Sequence, residues 1–288
     1  MPDGIVVIDK PQGWTSMDVC AKLRGVYHEK RVGHAGTLDP MATGVLPVFV
    51  GQATKAVPFA EDGKKEYRAS LRLGVVTDTQ DTCGTVLHEE SADVDEAALR
   101  AVLPRFTGEI EQIPPMYSAI KVQGQKLYDL ARRGVEVERK PRRITIYELE
   151  LLGRDAAGDW ALRVVCSKGT YIRTLCHDIG AALGCGGCMS ALTRTMAAGY
   201  TLDEVVTLET AQEGGAALLR PVDSLFRHYP AYRIRSVETE RRCRCGNPIR
   251  DPRARDGVYR VYAVDGTFLA LSRCEGGVLT SIRNFFSV

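Results

Sequence analysis

Residues 33–50 read GHAGTLDPMATGVLPVFV, in which a loop with three glycines runs directly into an apolar strand. Glycines allow backbone conformations that other residues avoid, and they let a ligand approach the backbone closely. Asp39 precedes Pro40, and a residue before proline is biased toward an extended conformation. The loop therefore predicts a carboxylate presented from a stiff point, although the same pattern also fits a turn in which Asp39 caps a neighbouring element. It is neither a Walker A loop nor a dinucleotide-binding glycine motif.

The segments on either side of this loop mix strand and helix patterns. Residues 4–10, GIVVIDK, predict a buried strand, and Thr15 or Ser16 can cap a helix that ends at Gly25. Further strands are predicted over 67–73, 144–152 and 160–166, and further helices over 93–103, 125–133 and 172–183, the last capped by Thr170 and ended by Gly184. Because these elements follow no regular βαβ alternation, the sequence predicts an α+β fold.

Composition excludes several classes of protein. The chain has 288 residues, 44% of them hydrophobic and 26% charged, which is typical of an ordinary globular protein of one large or two unequal domains. No apolar stretch approaches the roughly 20 residues that a membrane helix needs. The first ten residues lack the basic start of a secretory signal, so we expect a cytoplasmic protein with reduced thiols.

Four of the nine cysteines are spaced like zinc ligands. Cys185 and Cys188 form a C-x-x-C pair, and Cys243 and Cys245 form a C-x-C pair. Neither pair is flanked by the compact second pair that zinc ribbons show. We therefore expect no metal site.

Charge is distributed unevenly along a nearly neutral chain. Residues 75–111 carry nine acids and two bases, whereas residues 131–143 carry six bases and two acids, and residues 231–255 carry eight arginines and three acids. Such basic blocks are either solvated faces or phosphate-binding surfaces. In the first block, Arg132, Arg133, Arg142 and Arg143 are candidates for contacts with a nucleic-acid backbone. From near His228 onward, short strand-like runs separated by glycine, proline and aspartate indicate a second, β-rich domain.

Two other residues stand out by type and position. Arg173 lies in the first turn of a predicted helix, where a cation opposes the helix dipole unless it has a partner. A buried arginine needs a carboxylate, and Asp39 is a candidate; the alternative is a surface arginine. Tyr67, at the start of a predicted strand, is either a core aromatic or a platform on which a nucleic-acid base stacks.

Five segments resemble, in the same order, the motifs of the TruB family of tRNA pseudouridine-55 synthases. GHAGTLDPMATGVLPVFVGQATK (33–55) resembles the catalytic motif, and CSKGTYIRTLCHDIGAALG (166–184) resembles the arginine-bearing motif. The others are GIVVIDKPQGWTSMDV (4–19), KEYRASLRLGVVTDTQDTCG (65–84) and QIPPMYSAIKVQGQKLYDLARRGVEVERKPRRITI (112–146).

This resemblance implies an α+β pseudouridine synthase catalytic domain over 1–227, with a mixed, mainly antiparallel sheet and an RNA-gripping insertion at about 112–143. It implies a small β-barrel, PUA-like RNA-binding domain over 228–288. The implied activity is isomerisation of uridine to pseudouridine at position 55, in the T-arm stem-loop of tRNA, by base flipping and an aspartate nucleophile. We expect a monomer that needs no cofactor, no guide RNA and no membrane.

The resemblance also assigns roles to single residues. Asp39 falls on the catalytic aspartate, Arg173 on the arginine paired with it, and Tyr67 on a tyrosine that can assist at C5 of the uracil. Positions that contact the substrate or flank the site are His34, Tyr67, Asp81, Tyr171 and Leu192. Thr193 departs from the pattern, because the family usually has an arginine there.

Two other functions compete with this interpretation. One is an RNA chaperone that folds tRNA without chemistry, and the other is a guide-directed synthase like the archaeal and eukaryotic relatives. The presence of Asp39, Tyr67 and Arg173 weighs against the first. The short C-terminal domain and the lack of long basic tails weigh against the second.

Overall fold

The computed structural model describes residues 2–122 and 124–286, so Met1, Gln123 of the predicted insertion, and the last two residues lie outside it. The first twelve strands are β1 (Gly4–Lys10), β2 (Val32–His34), β3 (Thr43–Val50), β4 (Lys65–Leu73), β5 (Val75–Thr77), β6 (Val86–Glu89), β7 (Gly108–Gln112), β8 (Lys121–Val122), β9 (Gln125–Lys126), β10 (Arg142–Arg154), β11 (Trp160–Cys166) and β12 (Gly187–Ala197). The others are β13 (Tyr200–Thr201), β14 (Ala231–Arg233), β15 (Ile249–Arg250), β16 (Gly257–Tyr262), β17 (Phe268–Glu275) and β18 (Val278–Asn284).

Helices lie between these strands without a regular alternation. The α-helices are α1 (Ser16–Tyr27), α2 (Val57–Glu61), α3 (Glu96–Val102), α4 (Leu127–Ala131), α5 (Ile172–Leu183), α6 (Leu208–Gly214) and α7 (Val237–Arg244). The predicted α+β class is confirmed.

One large sheet forms the body of the molecule. Its strands follow the order β1-β3-β12-β4-β11-β10-β7, with β2 on β3 and β13 on β12. Every pairing in it is antiparallel except the short one between β3 and β12, as predicted for a mixed, mainly antiparallel sheet. That parallel pair places Thr193 opposite Thr43 and Arg194 opposite Gly44, so the end of the glycine-rich loop lies directly beside β12.

Helix α1 begins as predicted but ends later. Thr15 is its N-cap in a capping box with Asp18, each side chain accepting a hydrogen bond from the other residue's backbone N–H. The predicted end at Gly25 is wrong, because the helix continues to the buried Tyr27 and ends at His28 in a left-handed conformation. A glycine inside a helix costs only about 1 kcal/mol, which burial of Tyr27 can offset.

Helix α5 ends at Gly184 as predicted, but Thr170 does not cap it. The Thr170 hydroxyl donates to the carbonyl of Ser167, and Tyr171 occupies the N-cap position without a capping side chain. Gln112 of β7 substitutes for a cap: its side-chain oxygen accepts from the N–H of Tyr171, and its amide donates to the Tyr171 carbonyl.

Two helices are shorter than predicted. The helix predicted over 93–103 spans Glu96–Val102, because Asp95 caps its start by accepting from the N–H of Ala98. The helix predicted over 125–133 spans Leu127–Ala131, because Gln125 and Lys126 belong to the small hairpin of β8 and β9.

The C-terminal unit forms a separate sheet in the order β14-β16-β17-β18-β15, with α7 beside it. In the described part of the chain its outer strands, β14 and β15, do not pair with each other, so strand pairing does not close the predicted barrel. Phe226 contacts Phe268 and Phe285 in the apolar cluster that also contains Ile5 and Phe49 of the large sheet. The two units therefore share a hydrophobic core.

Helix α5 packs on the large sheet through a glycine. A side chain on Gly180 would lie 2.3 Å from the backbone of Gly186 and of Gly187, at the start of β12. The backbone of α5 thus lies directly on β12, and this close approach fixes the height of the helix above the sheet.

We predict that Gly180→Ala lowers the free energy of unfolding by about 1–3 kcal/mol, because backbone atoms have to move to admit the methyl group. Gly25→Ala is the matched control: it lies inside α1 with open space around it and should be neutral or stabilising by up to about 1 kcal/mol. Urea denaturation of both variants measures the difference, and equal stability of the two would contradict the close approach of helix and strand.

Candidate active site

The glycine-rich loop between β2 and β3 is held from several sides. The carbonyl of Asp39 accepts from the N–H of Ala42 at 3.0 Å, and that of Pro40 accepts from the N–H of Gly13 at 2.7 Å. The N–H of Leu38 donates to the hydroxyl of Ser16 at 2.9 Å. The residues on both sides of Asp39 are thereby fixed, and the loop presents its carboxylate from a rigid backbone.

Arg173 is the partner of Asp39. Its Nε lies 2.9 Å from Oδ2 of Asp39, and its Nη2 lies 3.3 Å from Oδ1, so the planar guanidinium holds the carboxylate by two nitrogens. The Arg173 side chain is 5% exposed and that of Asp39 is 37% exposed. The arginine is therefore a buried support, and one side of the carboxylate remains open.

The other nitrogen atoms of Arg173 reach two more segments. Nη1 donates to the carbonyl of Thr79 at 2.9 Å and lies 3.6 Å from Oδ2 of Asp81, and Nη2 donates to the carbonyl of Tyr117 at 2.8 Å. Asp81 is itself fixed, because its Oδ1 accepts from the hydroxyl of Thr79 and from the N–H of Cys83. Arg173 thus lies between two carboxylates.

The environment of Asp39 acts on its pKa in opposite directions. Burial of the carboxyl group in the site raises the pKa most strongly, and the nearby negative charge of Asp81 raises it further. The charge and hydrogen bond of Arg173 lower it, as does the charge of Lys10. Without these two cations the carboxyl would hold its proton to still higher pH.

The apolar floor beside this ion pair comes from two neighbouring strands. Tyr67 of β4 and Leu192 of β12 are each 7% exposed, and both belong to the core cluster that contains Leu38 and Ile172. The charge of Asp39 acts on the Tyr67 hydroxyl, and Leu192 lies opposite Ala69, two residues along β4 from Tyr67, so this floor lies near the ion pair. The structure therefore brings these two predicted residues to the site.

Tyr171 and His34 lie at the edge of the same region. Tyr171 is half-buried next to Ser118, and burial raises the pKa of its hydroxyl. His34 ends β2, and burial lowers the pKa of its imidazole to about 4, so the ring is neutral at physiological pH. Its Nδ1 is buried without a hydrogen-bond partner among the described residues.

The four predicted backbone-binding arginines are exposed. Arg132 and Arg133 line an open, basic surface cavity of about 580 Å³. Lys121, Lys126 and Asp129 also line it. Arg142 and Arg143 begin β10, where they pair with Gln112 and Glu111 of β7. The charge of Arg142 acts on the hydroxyl of Tyr171, so this end of β10 faces the site.

Sequence reasoning missed three buried cations beneath the loop, namely Lys10, Lys65 and Arg194. Lys10 ends β1 and its Nζ donates to the carbonyls of Pro11, Trp14 and Pro40. Burial lowers the pKa of Lys10 to about 8. The only available signal for Lys10 was its place two residues after the apolar run Ile5–Ile8.

Within the described residues, no group of three or more histidine, cysteine, aspartate or glutamate side chains is arranged to hold a metal ion. Cys188 and Cys243 are buried, whereas Cys245 is exposed. The described helices include none with the length and apolar character to span a membrane.

Comparison with known proteins agrees with this geometry. Residues 24–172 match the model of the TruB family pseudouridylate synthase N-terminal domain, and residues 173–227 match that of the tRNA pseudouridylate synthase B C-terminal domain. The chain belongs to the TruB family. Asp39 and Tyr67 lie within the first match, and Arg173 is the first residue of the second.

Full-length relatives support the assignment. The chain is 47% identical over 283 residues to tRNA pseudouridine synthase B of Dechloromonas aromatica, which covers 96% of this chain and 93% of the relative. It is 43% identical over 285 residues to the protein of the same name from Azoarcus, with 98% and 94% covered.

Solved structures in the comparison are more distant in sequence. A Cbf5-Nop10-Gar1 complex contains a chain that matches with a TM-score of 0.74 and 26% identity, over 99% of this chain and 85% of that one. An H/ACA RNP bound to a substrate RNA that contains 2′-deoxyuridine matches with a TM-score of 0.72 and 25% identity, over 99% and 85%. The fold of this chain is thus also found in one chain of each of these complexes.

The buried Lys10 gives a pH-dependent test of this part of the site. Its pKa falls from 10.5 to about 8 on folding, so between these pH values the unfolded chain holds more protons on Lys10 than the folded one. Its contribution to stability is therefore greatest above pH 10.5 and is lost as the pH falls through 8.

We predict that the stability of the unaltered protein rises relative to that of Lys10→Met by about 2 kcal/mol across this range, less than the full shift because solvent screens part of it. Urea denaturation at several pH values measures the difference, and the exposed Lys22→Met serves as control. A stability difference independent of pH would contradict the buried, titrating Lys10.

Proposed function

We propose that this protein isomerises uridine to pseudouridine at position 55, in the T-arm of tRNA, with Asp39 as the nucleophile. The observation that carries the proposal is the bidentate ion pair between Asp39 and the buried Arg173, which lies near the apolar side chains of Tyr67 and Leu192. Membership of the TruB family and two full-length relatives named tRNA pseudouridine synthase B supply the reaction and the substrate class.

The reaction requires a nucleophile that stays ionised in a closed site. The glycosidic bond between N1 and C1′ must break, the base must rotate, and C5 must then bond to C1′. A carboxylate can begin this by attack at C6 of the uracil or at C1′ of the ribose. Arg173 keeps Asp39 charged for either route, and because nothing is oxidised or transferred to another molecule, no cofactor is required.

The target base has to leave its stack to reach Asp39. An enzyme that flips a base holds it on aromatic and apolar surfaces. Tyr67, Tyr171 and Leu192 provide such surfaces, with Tyr67 also placed to act at C5 and the neutral His34 next to the loop. Asp81 helps to orient the guanidinium of Arg173 toward Asp39.

Outside the active site, the basic surfaces bind the RNA. In this proposal the insertion at about 112–143 holds the RNA backbone with Arg132, Arg133, Arg142 and Arg143. The catalytic domain extends to 227, and residues 228–288 form a PUA-like unit that adds further binding through its arginines. Residues 228–288 lie outside both matched family domains, so sequence and charge alone support this last assignment.

The protein works alone in this proposal, as a monomer in the cytoplasm and without a guide RNA. The relatives named for tRNA are 43–47% identical to this chain, against 26% for the Cbf5 chain that is solved with Nop10 and Gar1. The second candidate is a tRNA chaperone that catalyses no reaction. The ion pair of Asp39 and Arg173 argues against it.

We predict that Asp39→Asn abolishes pseudouridine formation and leaves tRNA affinity within a few-fold, because affinity comes mainly from binding of phosphates and from shape. Arg173→Lys should also lose most activity, since lysine keeps the charge but not the planar fork. Because the two residues act as a unit, the double variant should be hardly slower than the slower single variant. Single-turnover rates and tRNA binding measure these effects.

The exposed Asp203→Asn and Arg100→Lys are the matched controls and should retain full activity. Full activity in Asp39→Asn would end the nucleophile proposal. Losses that multiply in the double variant would leave Asp39 as nucleophile but remove Arg173 as its partner.

A second prediction concerns the basic insertion. Replacing Arg132, Arg133, Arg142 and Arg143 together with alanine should weaken tRNA binding, because each of these arginines is expected to neutralise an RNA phosphate. The dependence of binding on salt should flatten by roughly one log–log unit for each phosphate that is no longer neutralised. The control replaces Arg100 and Arg105, which lie in the acidic segment 75–111, with alanine. It should leave the salt dependence of tRNA binding unchanged. Equal slopes for the two variants would refute the assignment of the insertion.

A further inference from the structure

Arg194 of β12 is a fully buried cation without a carboxylate partner. Its side chain is 0% exposed, and it donates from Nε to the carbonyl of Val45 at 2.8 Å and from Nη2 to that of Gly36 at 3.0 Å. No ion pair to it is formed by any of the residues that the structure describes. Burial of an arginine without a counter-charge is unfavourable, so its retention at this position calls for an explanation.

The two carbonyls that Arg194 binds lie at opposite ends of the loop that carries Asp39. Gly36 precedes Asp39 and Val45 follows it, so one guanidinium closes the loop at its base. Both ends approach closely: a side chain on Gly36 would lie 3.2 Å from Nη1 of Arg194, and one on Gly44 would lie 2.3 Å from the Arg194 carbonyl. The glycines of the loop thus allow it to rest directly on Arg194.

Arg194 has one nitrogen without a well-aligned partner, and it shares a face of the sheet with Tyr67. Nη1 is buried without a well-aligned hydrogen bond in the described structure. Arg194 lies opposite Tyr67 in the antiparallel pairing of β12 and β4, so the two side chains stand on the same face of the sheet. The guanidinium is near enough to favour the ionised form of the Tyr67 hydroxyl both by its charge and as a hydrogen-bond donor.

We propose that Arg194 is a positioning residue for proton removal from C5 of the target uracil, acting through the hydroxyl of Tyr67 while it closes the loop that carries Asp39. The inference rests on the proposed function, in which Tyr67 faces the base. It adds a cation whose charge opposes the burial that raises the pKa of the Tyr67 hydroxyl.

Proton removal from C5 completes the isomerisation without a net change in protons or electrons. Once C5 has bonded to C1′, C5 carries both its hydrogen and the ribose. The Tyr67 oxygen, as phenolate, takes the hydrogen as a proton, and the C5–H electron pair re-forms the C5=C6 double bond. On the route by attack at C1′, the electrons of N1=C6 move to N1, which takes a proton from water. On the route by attack at C6, the bond between C6 and Asp39 breaks instead and its electrons return to the carboxylate, N1 having taken a proton from water when it left C1′. On both routes the phenol returns its proton to the hydroxide that remains.

The charges around Tyr67 explain why Arg194 is needed. Burial raises the pKa of the Tyr67 hydroxyl, and Cys166 of β11 and Asp39 of the loop raise it further, whereas Arg194 lowers it. Lys10, Lys65 and the neutral His34 also face Arg194. Arg194 is the cation that acts on the hydroxyl most strongly, so its loss should affect proton transfer more than base binding.

The first test uses tRNA in which the target uridine carries deuterium at C5. Arg194→Lys should slow pseudouridine formation at least tenfold and raise the C5 deuterium isotope effect, because proton removal then limits the rate. Tyr67→Phe should behave in the same way, and the double variant should be hardly slower than either. The exposed Arg100→Lys should leave both the rate and the isotope effect unchanged.

A second measurement keeps Arg194 intact, in case its replacement impairs folding. Incorporation of 3,5-difluorotyrosine at position 67 makes the phenol more acidic, so it should move the pH–rate profile of the otherwise unaltered protein to lower pH. In a folded Arg194→Lys protein it should restore part of the lost rate.

A slower Arg194→Lys with an unchanged isotope effect, or a difluorotyrosine protein with an unmoved pH profile, would overturn this inference and leave the proposed function standing. Failure of the unaltered protein to form pseudouridine at all would overturn both.

Discussion

The site depends on one buried guanidinium. Arg173 holds Asp39 by two nitrogens and donates to the carbonyls of Thr79 and Tyr117. Its Nη1 also lies 3.6 Å from Oδ2 of Asp81. It thereby joins helix α5 to the catalytic loop, to the segment after β5 and to the insertion. Since a planar group with five donors fixes direction as well as distance, Arg173 both shapes the site and favours the ionised form of Asp39, the proposed nucleophile.

Burial raises the pKa of Asp39, and nearby cations oppose part of that rise. Lys10, Lys65 and Arg194 are buried around the loop, and their well-aligned hydrogen bonds within the described structure go to carbonyl oxygens. None of the three forms a salt bridge with a described residue, and Lys10, together with Arg173, offsets part of the burial that raises the pKa of Asp39. The loop and the electrostatic environment of the reaction are built by the same hydrogen bonds.

Regular elements were predictable where the residue pattern is strong. The strands Gly4–Lys10 and Trp160–Cys166 have the predicted bounds, because each is a continuous or alternating apolar run. Helix α7 was missed, because VETERRCR lacks an apolar face and is held by the Ser236 cap and the pair Glu240–Arg244. Residue types made Asp39 a candidate partner of Arg173, and the resemblance to the TruB motifs assigned the pair. Burial of Lys10 and Arg194 was not predicted, since burial of a charge is decided by long-range packing that a sequence does not display.

The most direct test of the account is to incubate the purified protein with unmodified tRNA and to map pseudouridine at nucleotide resolution. The account predicts complete conversion at position 55, in intact tRNA and in an isolated T-arm stem-loop, without guide RNA or added cofactor. Absence of pseudouridine from both RNAs, or its appearance only at other positions, would contradict it.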